Sequence, residues 1–311
     1  MSDAEHIDAA TLLNTEWPQP IIVGYTTRDL LTYALGIGCS DLRHVHEDCP
    51  DFAAFPTYPA VLGFKGDAID VVSFPSPAMM QQPMPMLPGT RVVLDAERYI
   101  EMVRPLPTEG ASLLLRSKLV GVLQKGKGAV IQTESELIDS DERLLYRLQA
   151  ASFAVGATGF TSAGVSHSAA IEAPARPPDA EREQRVSEAQ AQLYRLSGDY
   201  NPLHVDPAVA QMSGFDRPIL HGLCSLGFAV RAVLDECAGG DASRFHCVRA
   251  RFAAPVMPGQ TLTTRMWRTS APGTPMRIVF ETVVAETGAT AIKHAYVDLV
   301  AQDGESAASR L

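Results

Sequence analysis

Long apolar runs are missing from this chain. No stretch approaches the roughly 18 consecutive apolar residues that a membrane-spanning helix needs, and mean hydropathy is +0.02. Excess positive charge is missing as well, because 26 Lys and Arg face 36 Asp and Glu, for a net charge of −10. A phosphate backbone is gripped through a basic surface, so nucleic acid is a poor partner. Cysteine is scarce: Cys39, Cys49, Cys224, Cys237 and Cys247 are scattered, odd in number and without a Cys-x-x-Cys pair. Such a set argues for reduced thiols in an intracellular compartment. The eight histidines show no metal spacing. His44 and His46 lie in a charged loop with Asp41, Arg43, Glu47 and Asp48, which lacks the ligand set of a zinc site. Neither a metal nor a redox cofactor is expected. The first eight residues are acidic and polar and lack the basic start and apolar core of a secretory signal.

What is present suffices for a folded protein of one large or two medium domains: 311 residues, 46% of them apolar. Residues 159–185 are rich in Gly, Ser, Ala and Pro and end in Pro174, Pro177 and Pro178, so they read as a linker without regular elements. The chain thus divides into 1–158, a linker at 159–185, and 186–311 with a flexible tail from about 303.

The two halves echo each other. After Arg104–Pro107 the first half offers strand-like runs at 112–123, 129–137 and 144–155, separated by Lys125-Gly-Lys-Gly128 and by a turn at 139–142. After Ala254–Gly259 the second offers runs at 261–267, 278–286 and 291–299, separated by turns at 271–275 and 287–288. Short strands joined by such turns make antiparallel hairpins, and the repetition predicts an internal duplication. Helix signals precede both sheets. Thr27 is placed to cap a helix with Leu30, Leu31, Ala34 and Leu35 on one face, and Ser187 another running to Leu196. Asp206-Pro207 is an N-cap followed by a proline at the first helical position. From Gly222 to about Cys237, apolar residues recur at helical spacing until Gly239-Gly240. The pattern predicts a long helix followed by an antiparallel sheet, twice.

The most informative segment is Tyr194–Ala210, where Asp199, Asn201 and His204 fall within six residues, between a glycine and a helix start. A carboxyl and an imidazole on one short irregular segment are a pair able to exchange a proton. Singly, each has an ordinary reading: a turn aspartate, a core histidine, a packing glycine. Together they form a pattern. Tyr194, Leu196, Ser197, Gly198, Asp199, Asn201, Pro202, Leu203, His204 and Ala210 fill every fixed position of the signature of the (R)-specific enoyl-CoA hydratases, the hydratase 2 or MaoC-like family. Tyr33–Gly38, Leu220-His-Gly-Leu-Cys224 and Tyr296–Leu299 resemble the eukaryotic two-repeat hydratases, so the resemblance covers nearly the whole chain.

That resemblance implies an α+β double hotdog, two repeats each with an antiparallel sheet wrapped around helices. It implies reversible addition of water to trans-2-enoyl-CoA to give (3R)-3-hydroxyacyl-CoA. Water must lose a proton to attack C3, C2 must gain one, and the thioester oxygen must be stabilised. Asp199 and His204 are carried over as the acid–base pair, with the order of transfer between them left open. Asn201 holds the water or the aspartate, and the backbone N–H of Gly222, at a helix start, is the oxyanion donor. Lys125 and Phe252 match ligand-contacting positions, Tyr200, Pro202 and Leu203 are expected with them to bind substrate, and Asp95-Ala96 stands where relatives usually have His-Gly. The first half lacks the signature. By analogy it accommodates the acyl chain, and its Met79–Met86 segment suits that role because methionine adapts to varied shapes.

The expected partners are acyl-CoA and, by family analogy, a second copy of the chain in a homodimer. The ending Ser309-Arg310-Leu311 resembles the Ser-Lys-Leu address, which implies a peroxisomal import receptor and a peroxisomal location, or otherwise a cytoplasmic one. Relatives often fuse this module to a dehydrogenase and a sterol-carrier domain, so those activities are expected on another chain. Two other readings fit the same fold: an acyl-CoA thioesterase, or a non-catalytic acyl-CoA-binding protein.

Overall fold

The structure is a computed structural model, which describes residues 6–269 and 275–300. The tail expected from about 303, the Ser309–Leu311 tripeptide and most of the 271–275 turn therefore lie outside the described residues. The first half contains β1 (Ile7–Asp8), β2 (Ile21–Tyr25), α1 (Thr27–Gly36) and three one-turn helices, α2 (Leu42–Val45), α3 (Leu62–Lys65) and α4 (Pro77–Met80). Its long strands follow: β3 (Val92–Met102), β4 (Ala111–Lys125), β5 (Gly128–Ile138) and β6 (Leu144–Val155). Next come β7 (Phe160–Thr161), β8 (Ala163–Gly164) and β9 (Ala180–Arg185). The second half runs α5 (Gln190–Tyr194), α6 (Pro207–Met212), α7 (Gly222–Ala238), β10 (Phe245–Phe252), β11 (Thr261–Arg268), β12 (Met276–Val284) and β13 (Thr290–Leu299).

One sheet holds both halves together. Its order is β2-β4-β5-β6-β3-β10-β13-β12-β11-β9, with β8 paired to β4. Read outward from the middle, the halves carry the same arrangement, and β3 meets β10 antiparallel with Arg251 opposite Glu97 and Arg249 opposite Tyr99. The duplication and the double hotdog are thus seen directly in the pairing. At the junction Glu97, 5% exposed along its side chain, accepts from Arg249 Nη1 at 2.8 Å and from Arg251 Nη2 at 3.0 Å. Arg249 also donates to Gln149 at 2.7 Å. A buried carboxylate needs such company, since an unpaired one would shed its charge.

The central helix is α7. A surface helix is apolar on one face, but α7 is buried along most of its length, as a helix wrapped by a sheet must be. It crosses the end of α1 so closely that a Cβ on Gly227 would lie 2.3 Å from Ile37. The halves also cap each other. The last carbonyls of α1 have no intrahelical donor, and Gln190 Nε2 donates to Leu35 and Gly36 at 3.1 and 2.7 Å while Cys224 Sγ donates to Gly36 at 3.3 Å. Gly239, left-handed at φ 61°, ends α7 as expected.

Four expectations need correction. The first half has no long helix. Between α1 and β3, Tyr58–Lys65 makes a 3-10 turn and then α3, which stops at Gly66 with φ 66°, and Pro75, Pro77, Pro83, Pro85 and Pro88 then block helical hydrogen bonding. The cap of α1 is Thr26, not Thr27, in a reciprocal capping box with Asp29. Ser187 caps nothing: its Oγ donates to Gln190, and α5 has Ala189 at its N-cap and ends at Tyr194, continued by a 3-10 turn to Ser197. The 159–185 stretch is not free of elements. β9 pairs with β11 from Arg185 opposite Thr261 to Ala180 opposite Met266, and it is the second half's equivalent of β2. Its residues, Ala-Glu-Arg-Glu-Gln-Arg, are those of a charged, water-facing edge strand, which apolar patterning does not reveal. β7 and β8 are two residues each, and Phe160 closes a small second core with Ala9, Leu119, Val122 and Ile131. Among the described residues no helix is long and apolar enough to cross a membrane.

Candidate active site

The signature segment leaves α5 through the short 3-10 turn Arg195–Ser197 and bends at Gly198, whose φ of 132° is closed to other residues. A Cβ there would also stand 3.3 Å from the Val61 carbonyl, so this glycine lets the second half's loop rest on the first half. Asp199 follows, its Oδ1 accepting from Asn201 N–H at 3.2 Å. Asn201 in turn caps the turn Pro202–His204, its Oδ1 accepting from Leu203 N–H at 3.0 Å. Both bonds are the local turns that Asx residues favour. They present Asp199 and His204 on the same side of the loop.

His204 is buried, and its Nδ1 lies 2.8 Å from the carbonyl oxygen of Ile219. A carbonyl only accepts, so Nδ1 carries the hydrogen and Nε2 keeps the lone pair. The tautomer of His204 is thereby set by a backbone carbonyl. Enclosure pushes the Asp199 carboxyl above its ordinary range, opposed by His204, and pushes His204 below its own, opposed by Asp199. Each partner favours the other's charge while burial disfavours both, so the pair titrates as a unit.

Gly222 is the first residue of α7, where a backbone N–H has no acceptor within the helix. A hypothetical Cβ on it would first meet the Phe252 ring, at 3.4 Å. That ring belongs to the wall of a cavity of about 410 Å³, together with Lys125, Lys127 and Arg251 and also Asp95 and Ala96. The expected CoA contacts Lys125 and Phe252, from opposite halves, therefore meet in one cavity. A second cavity of about 290 Å³ is bounded by Phe64, Met79, Met80 and Met84 on one side and by Ser135 and Ser152 of the sheet on the other. It occupies the half that lacks a long helix. Arg98 borders this second cavity and donates through Nε to both oxygens of Asp95 at 3.0 Å. Both members of that ion pair act electrostatically on Asp199, although Asp199, His204 and Gly222 themselves line neither cavity. Tyr200 is buried beneath the Arg195 guanidinium, 5.2 Å from its ring centre, and with Pro202 and Leu203 it shapes the loop rather than either cavity wall.

Sequence reasoning missed three participants. Arg98 and Arg251 are charged residues inside strands, where the signal is the charge itself among apolar neighbours. His221 sits in the Leu220–Cys224 segment without a role of its own in the signature, although it adjoins Gly222. Its ring stacks on His204 with centroids 3.7 Å apart and planes 27° apart.

Asp199, His204 and His221 each bring one donor atom within 4.8 Å of the others, a spacing that invites a metal ion. The donors do not suit one. Each imidazole gives one ring N–H to a backbone carbonyl, as metal ligands also do, but the stacked rings send their remaining lone pairs along near-parallel planes rather than to one point about 2 Å from each. His44 is buried with Nδ1 2.8 Å from the Ala53 carbonyl and its ring against Phe55.

Comparison with known proteins agrees across the chain. Residues 24–156 match the MFE-2 hydratase 2 N-terminal domain, and residues 169–295 match the MaoC like domain. Peroxisomal multifunctional enzyme type 2 of Drosophila melanogaster is 44% identical over 287 residues, 88% of this chain and 46% of its own length. The chain thus spans about half the length of that relative. Enoyl-CoA hydratase 2, peroxisomal, of Arabidopsis thaliana is 35% identical over 88% of this chain and 90% of its own. The crystal structure of a MaoC-like dehydratase from Phytophthora capsici superposes with a TM-score of 0.86 at 40% identity, covering 95% of this chain and all of that one.

Proposed function

The chain belongs to the MaoC-like dehydratase family in its two-repeat hydratase 2 form, and from that premise we propose that it reversibly hydrates trans-2-enoyl-CoA to (3R)-3-hydroxyacyl-CoA. The observation that carries the reading is the pairing of a tautomerically fixed His204 with Asp199 beside the open N–H of Gly222. The CoA moiety lies in the cavity of Lys125, Lys127, Arg251 and Phe252, whose cations suit its phosphates. The acyl chain enters the methionine-lined cavity of the first half. Between them the thioester oxygen accepts from Gly222 N–H, where the helix dipole also favours negative charge.

A water held by Asp199 and His204 gives one proton to the pair as its oxygen bonds to C3. Electrons move through C2 onto the thioester oxygen. The proton then passes from the pair to C2 as the enolate collapses, and the thioester is restored. Atoms and charge balance without a metal or a redox cofactor. The working state is carboxylate plus neutral imidazole, so activity is lost as the pair becomes protonated.

The test is hydration of short and long trans-2-enoyl-CoA, with the product read by (R)- and (S)-specific dehydrogenases. An (R)-product on any chain length bears the reading out. Thiol release without hydration would replace it with a thioesterase, and tight binding without turnover would replace it with a binding protein. We further propose a homodimer and a peroxisomal location, the latter in keeping with the named location of both relatives and with the Ser309-Arg310-Leu311 ending. Sedimentation tests the first. Imaging the tagged chain with and without its last three residues tests the second.

A further inference from the structure

His221 touches both members of the acid–base pair and precedes the oxyanion donor, yet it faces no substrate cavity. Its Nε2 lies 3.2 Å from the backbone carbonyl of Asp199 and therefore carries the hydrogen and donates it. Its ring lies flat against His204 and 4.9 Å from Tyr194. It is 1% exposed, and its Nδ1 has no hydrogen-bond partner. A second proton on this ring would place a charged, unanswered N–H in the interior. Burial and the neighbouring His204 accordingly hold it well below the ordinary histidine range.

We propose, resting on the hydratase reading, that His221 is the positioning residue of the site: its ring is the platform for His204, and its Nε2–H fixes the loop carrying Asp199. Packing alone would need only a flat ring. The bond to the Asp199 carbonyl needs the nitrogen, and the two requirements separate by substitution. The groups that bear on this unit are His204, Asp199, Tyr194 and Arg195 around His221, and Asp95 and Arg98 around Asp199.

His221→Phe keeps the platform and removes the donor. With the Asp199 loop released, the carboxylate supports the His204 charge less, so the His204 titration midpoint falls. The singly protonated pair is then less favoured, so the acid limb of kcat moves down with it. Turnover should fall about ten- to a hundredfold, as expected for small misplacements of reacting groups, while KM changes by no more than about twofold. His221→Gln restores a donor without the platform and should bring the acid limb back towards wild type. The midpoint is read by NMR of the ring protons, which requires no turnover, so failure of the hydratase reading and failure of this one are distinguishable. Unchanged midpoint and acid limb in His221→Phe would overturn the proposal. Should that variant not fold, the wild-type ring decides: nitrogen-15 shifts must show the Nε2–H tautomer, and an Nδ1–H tautomer would equally overturn it.

Discussion

Gly222→Pro is the sharpest perturbation this site offers. The proposed oxyanion donor is a backbone N–H, which ordinary side-chain substitution cannot remove. Proline removes it, and position 222 is one of the few where a helix accepts proline, because the first helical residue has no intrahelical bond to lose. The residue before a proline must be extended, and His221 already is, at φ −61° and ψ 138°. The nearest neighbour of the added Cβ is the Phe252 ring, at the ordinary contact distance of 3.4 Å. The fold should therefore survive, with the melting temperature close to wild type. Loss of one such donor costs about 2.7–4 kcal/mol in the transition state, or about 10²–10³ in kcat. Gly222→Ala is the control, since it adds the same Cβ and keeps the N–H. Initial rates of hydration, with circular dichroism of each variant, decide the matter. A folded Gly222→Pro retaining more than about a tenth of wild-type kcat would refute the assignment.

Four further outcomes are expected. His204→Ala should lower kcat about 10²–10⁴-fold with the fold intact, checked by steady-state rates and thermal melts. Asp199→Asn should abolish turnover yet raise the melting temperature at neutral pH. The native carboxyl is held above its unfolded value, so the native state binds the extra proton and wild-type stability falls as pH rises between the unfolded and folded pKa. The gain should accordingly shrink in melts taken at progressively lower pH. Glu97→Ala leaves two guanidinium groups unanswered at the junction of the halves and should cost about 3–5 kcal/mol, towards the lower end because Arg251 is 23% exposed. Denaturant unfolding measures this, and a loss below about 1 kcal/mol would mean the triad behaves as a surface pair. Ala150→Phe, in the wall of the acyl cavity, should depress kcat/KM for long-chain substrates far more than for short ones.

Much of this was legible in the residues. The 144–155 strand, the Asp206 cap and the extent of α7 follow from alternation, capping chemistry and helical spacing, all local signals. The acid–base segment was legible because its pieces are contiguous. What escaped depends on distant partners. β9 is a strand only because β11 offers it an edge, and its charged residues carry no apolar pattern of their own. The missing first-half helix follows from Gly66 and the prolines after it, yet the expectation of symmetry between the halves hid their plain meaning. His221 could be assigned only once the stack on His204 was seen, since seventeen positions separate them in sequence.

The interrupted helix of the first half carries an evolutionary consequence. Space for an acyl chain arises here by subtraction, from a helix that stops at Gly66, while the sheet that would have wrapped it is kept whole. The groups proposed as catalytic reside in the other copy. Residues 66–91 are therefore free to drift, lengthen or stiffen without disturbing Asp199, His204 or Gly222. Substrate range and chemical step sit on separately mutable parts of one polypeptide, and a lineage can retune the first while the second stays fixed.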